Sequence, residues 1–190
     1  LLQVQQILVL LLLIGVRFGA LVPATLPANW LFRVTEGRPV RRYHTGTRRA
    51  AFAVGILPIA TLFPAHTAFW GWRLAAYHAG IGVLFTALVV ELLFSGLENV
   101  PFTATYVSGQ LKLKSRLGQY VAGVIALAML PSALEAVTFR GTIGRATLPG
   151  WMLFLTLVLA LTRWRKQRAQ PGLVFDDTPD DAFQTLRLSE

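Results

Sequence analysis

Three ionisable side chains stand inside stretches that are otherwise too apolar to hold them: Arg17, Glu91 and Glu135. A charge at the centre of a bilayer costs about 2.5 to 3.5 kcal/mol on insertion scales, so each of the three requires a partner or a wet cavity. Two kinds of chemistry meet that requirement. An intramembrane carboxylate can carry a proton or substrate path, which makes Glu91 the first candidate. A buried ion pair that only fixes helix packing, or snorkelling from near the boundary, is the competing account and the stronger one for all three, most of all for Arg17 and Glu135, nearer an interface.

The remaining polar groups offer less. Tyr77 and His78 fall in the same apolar run as Glu91 and have the donors and acceptors to bond across helices. His44, His66 and His78 are separated along the chain with no spacing that sets two on one helix face, so no metal site is expected. There is no HExxH, GxSxG, Walker A or dinucleotide-binding glycine pattern. The absence of cysteine removes thiolate nucleophiles, disulfides and Cys-bearing metal sites. No cofactor is therefore expected, and the pattern argues against an enzyme.

The elements that must position these residues are set by composition. Of 190 residues, 54% are hydrophobic and only 14% charged, an apolar surplus that a soluble domain of this size does not bury. The clearest run, Leu74 to Ser95, has twenty-two residues with Glu91 as its one fixed charge. At about 1.5 Å per residue it covers a hydrocarbon core of roughly 30 Å. Four more apolar runs flank it, giving spans at about 1–22, 50–72, 74–95, 119–137 and 148–162 in a bundle over 1–168.

The fold class is thus all-α, a polytopic membrane bundle of about five spans. Its apolar start at Leu1 reads as an internal beginning, not a native terminus or a signal peptide. Gly15 and Gly19 have the small-xxx-small spacing of close helix contact, or simply reflect apolar composition. Pro58 and Pro64 predict a kinked or broken second span. Phe69, Trp70 and Trp72 read as an aromatic interface cluster, with Arg73 closing the turn.

Between the spans, Pro27 to Glu36 reads as a short interfacial helix anchored by Trp30. Arg38 to Arg49 reads as a basic loop. Gly96 to Gly118 is either a small hairpin or an irregular loop. Residues 169–190 form a partly disordered acidic tail, with one or two helical turns at Asp180 to Leu186.

Charge placement orients the bundle. With alternate gaps assigned to alternate sides, one side holds thirteen basic residues, in 33–49, 112–116 and 163–168, and the other holds only Arg73, Arg140 and Arg145. A nucleic-acid binder has no reason to place its charges at every second gap, whereas an inserted protein does. The net charge of +9 therefore reports topology, with attraction of anionic lipid as a secondary account. This puts the C-terminus in the cytoplasm. It also sets Arg17 and Glu91 at similar depth, predicting that they pair or share a pocket, and leaves Arg73 and Arg140 to meet Glu135.

At PANWLFRVTE (Pro27 to Glu36), PFTATYVSG (Pro101 to Gly109) and FQTLRL (Phe183 to Leu188), the chain resembles the C-terminal membrane portion of uncharacterised bacterial multi-pass inner-membrane proteins, some described as permease-like. The resemblance implies a bacterial inner-membrane setting and no particular substrate. The expected function is a permease-like component of a transport system; the alternative is a non-catalytic membrane scaffold or assembly subunit. Expected partners are membrane lipid and either a cytoplasmic ATPase or other membrane subunits, with no nucleic acid.

Overall fold

The computed structural model describes residues 2–21, 40–94, 113–141 and 144–169. These form five α-helices and, among the described residues, no strand: α1 Leu2–Leu21, α2 Val40–Trp70, α3 Trp72–Phe94, α4 Leu113–Phe139 and α5 Thr147–Ala169. Four carry segments long and apolar enough to cross a membrane: Leu2–Ala20, His44–Trp70, Trp72–Phe94 and Thr147–Lys166. The predicted fourth span falls within α4, whose shorter apolar stretch is Ala126–Phe139. The interfacial helix with its anchor Trp30, residues 96–112 of the expected hairpin or loop, and the tail beyond Ala169 lie outside the described residues.

Several boundaries differ from the sequence reading, for one physical reason. The expected basic loop at 38–49 is helical from Val40, α4 begins at Leu113 inside the expected loop, and α5 continues through the basic run to Ala169. Arg and Lys are good helix formers, so a spanning helix continues past the apolar boundary until something stops it. Nor is the second span broken, since α2 runs through Pro58 and Pro64. Pro58 leaves the Val54 carbonyl without its intrahelical donor; one residue on, the Thr86 hydroxyl of α3, which donates to the Gly82 carbonyl at 2.8 Å, approaches the Gly55 carbonyl at 3.5 Å.

A single residue joins α2 to α3. Gly71 has φ of 76°, a left-handed conformation that costs glycine nothing, and its N–H donates to the Thr67 carbonyl at 2.9 Å. The chain therefore reverses at once and the two helices pack along their length. Arg73, expected to close this turn, lies in the first turn of α3.

The bundle is arranged around α3, which packs against α1, α2 and α5, while α1 also packs against α4. Its core is aliphatic and aromatic, built on Leu10, Leu13, Ile59, Ile81, Phe85 and Val89. Among the described residues Gly15 and Gly19 take no part in close packing, because a side chain added at either would meet open space. Close approach is made instead at Gly55 and Gly82. A Cβ there would run into Thr86 and into the Gln5 side chain, respectively.

The outer surface is apolar. Leu57, Leu130, Trp151, Phe154 and Leu161 are all more than half exposed, the arrangement expected of helices whose solvent is lipid.

Candidate functional site

Each of the two intramembrane carboxylates sits in its own cluster. Glu91 and His78 are thirteen positions apart on α3, about 20 Å along a helix, so the clusters occupy opposite ends of the bundle.

At one end Glu91 joins three helices. Arg48 of α2 donates through Nη2 to Glu91 Oε2 at 2.9 Å. Arg163 of α5 donates through Nε to Oε2 at 3.1 Å and through Nη2 to Oε1 at 3.2 Å. The second of these is the two-pronged guanidinium–carboxylate geometry that fixes orientation as well as charge. Both partners come from basic runs that the sequence reading used only to orient the chain. Arg17, expected to pair with Glu91 or share its pocket, donates from α1 to the Leu93 carbonyl at the same end of α3.

At the other end, His78 Nδ1 and Glu135 Oε1 lie 2.7 Å apart, with both side chains fully buried. Glu135 thus meets a histidine, not the Arg73 and Arg140 its position suggested; Arg73 lies over the Trp72 ring and Arg140 is exposed. Neither member of the pair is fully satisfied. His78 Nε2 and Glu135 Oε2 are buried with no hydrogen-bond partner, as are Gln5 Oε1 and both amide atoms of Gln6. Gln5 Nε2 donates to the His78 carbonyl at 3.4 Å, a contact allowed by the missing side chain at Gly82.

Aromatic rings close this cluster. His66 stacks on Trp70 with centroids 4.7 Å apart, and His78 meets both edge-on, at 4.9 and 5.5 Å. Trp70, read as an interfacial anchor, therefore also covers His66, while Trp72 is mostly exposed as an anchor would be. Tyr77 donates its hydroxyl to the Arg145 carbonyl at 2.8 Å, tying α3 to the segment before α5.

His66 and His78 are brought together, although their separation along the chain argued against it. A signal for this was present. In an antiparallel helix pair, residues roughly equidistant from the turn become neighbours. Arg48 with Glu91, Gly55 with Thr86, Ile59 with Gly82 and His66 with His78 all follow that rule about Gly71. Among the described residues no group of three His, Asp or Glu has the arrangement needed to hold a metal ion.

The two clusters differ in chemical capacity. Both Glu91 oxygens are engaged by guanidinium groups, so moving a proton there would break an ion-pair network. His78 and Glu135 each keep one buried atom without a hydrogen-bond partner among the described residues, so their bonding capacity is not used up as that of Glu91 is. Comparison with protein-family models, curated proteins and solved structures yields no match.

Proposed function

We propose that the protein is a permease-like component of a transport system in a bacterial inner membrane. Its Arg- and Lys-rich helix ends and its C-terminus face the cytoplasm, and His78–Glu135 serves as its proton-holding pair. The observation that carries this reading is the fully buried 2.7 Å contact between His78 and Glu135, with an unpartnered atom on each side chain. Buried titratable groups of this kind are costly, and in membrane proteins they mark proton relays.

Orientation follows from the concentration of basic residues at one set of helix ends. Glu91, the first candidate from sequence, becomes a structural tie because its oxygens are already occupied. The test is proton uptake into vesicles containing the protein, driven by an imposed membrane potential. The wild-type chain should acidify the lumen faster than protein-free vesicles, and H78N and E135Q should each fall at least about tenfold, towards background. Wild-type flux no greater than that of protein-free vesicles, or unchanged flux in both variants, would overturn the reading.

The Arg48–Glu91–Arg163 tie favours a second reading, a scaffold in which charges only lock helices together. A stable complex with other membrane subunits, without proton flux, would support it. Co-purification of a cytoplasmic ATPase together with flux would support transport.

A further inference from the structure

A cavity of about 300 Å³ opens beside the Glu91 tie, between α2, α3 and α5. Arg48, Arg49 and Arg163 line it, with Glu91 as the single acid, so its charge is positive even after Glu91 is counted. The rest of the wall is Thr45, Phe52, Ala87, Val90 and Thr156, which makes one part cationic and another apolar.

Two features show that the positive charge is unspent. Arg48 is only 8% exposed, and its Nη1 is buried without a hydrogen-bond partner although Nη2 is held by Glu91. A guanidinium nitrogen in that state is a donor with bonding capacity left over. Arg49 is exposed at the rim. Glu91 meanwhile holds Arg48 and Arg163 in fixed orientation, as a preformed anion site requires.

The depth is equally specific. Arg48 and Arg49 immediately precede the apolar residues of α2, and Arg163 immediately follows those of α5. In a bilayer this is the level of the phospholipid phosphates. We propose that this cavity binds the phosphate of an anionic phospholipid, with Arg49 at the rim and the Arg48 guanidinium behind it taking the phosphate and Phe52, Ala87 and Val90 contacting the start of an acyl chain. The site is independent of the proton-holding pair and holds whether the protein transports or scaffolds.

Native mass spectrometry of the full chain, released from detergent, tests this with phosphatidylglycerol, phosphatidylcholine and inorganic phosphate as probes. One phosphatidylglycerol should remain bound, with phosphatidylcholine retained at least about tenfold less. Arg49→Gln, which touches no part of the Glu91 tie, should weaken phosphatidylglycerol binding about fivefold. Arg48→Gln should weaken it about tenfold or more, with circular dichroism confirming retained helix. Equal retention of the two lipids, unchanged binding in R49Q, or displacement of the lipid by inorganic phosphate at about millimolar concentration would each overturn the proposal.

Discussion

Glu91 and Glu135 are the same residue type in the same bundle, yet their surroundings differ in both burial and number of partners. Glu91 is partly exposed and engaged by two guanidinium groups from two other helices, and a cationic cavity adjoins it. Glu135 is fully buried, meets one imidazole and leaves an oxygen unpartnered. In the proposed function the carboxylate with both oxygens engaged is a fastener, and the one with an oxygen left over beside an imidazole is the place to keep a proton. Burial alone does not separate these roles; the number of partners does.

The contrast can be broken most severely at Glu91. Glu91→Ala leaves Arg48 and Arg163 facing each other without a counter-charge, and stability should fall by about 2–4 kcal/mol, measured by thermal unfolding in detergent. A loss under about 0.5 kcal/mol would remove the fastener account. Gly82→Ala acts on the other cluster, since its new methyl group occupies the space of Gln5. It should cost about 1–3 kcal/mol and lower proton flux with it.

E135Q sharpens the comparison from the opposite direction. The amide is nearly isosteric with the carboxyl and can still accept from His78 Nδ1, so stability should change by less than about 1.5 kcal/mol while proton flux collapses. A large loss of stability there would make Glu135 a fastener too. Smallest of all, Tyr77→Phe removes one exposed hydrogen bond to the Arg145 carbonyl and should cost no more than about 1 kcal/mol, leaving flux unchanged.

Four of the five expected spans were legible because apolar runs of about twenty residues have few alternatives in lipid, whereas the fourth, in α4, has only the shorter apolar stretch Ala126–Phe139. Helix ends were less legible. Val40, Leu113 and Ala169 mark helices that continue into basic sequence, where charge pattern signals an interface but not a change of backbone. The polar groups were legible singly and not as partners. Glu91 stood out by its apolar neighbours, but Arg48 and Arg163 looked like topology signals because nothing local distinguishes a pairing arginine from a loop arginine. His78 and Glu135 meet only once the rotation of α3 and the position of α4 are known, which the sequence of neither helix contains. Gly82 carried no mark either, whereas the Gly15 and Gly19 spacing matched a contact motif and meets no close neighbour among the described residues.

The central claim is that the two carboxylates divide the labour, one holding helices and the other holding a proton. Proton uptake measured side by side in vesicles bearing E135Q and E91Q at equal protein content tests it directly. Flux should lie near background for E135Q and within about twofold of wild type for E91Q among molecules that remain folded. The reverse order, with E91Q silent and E135Q active, would contradict it.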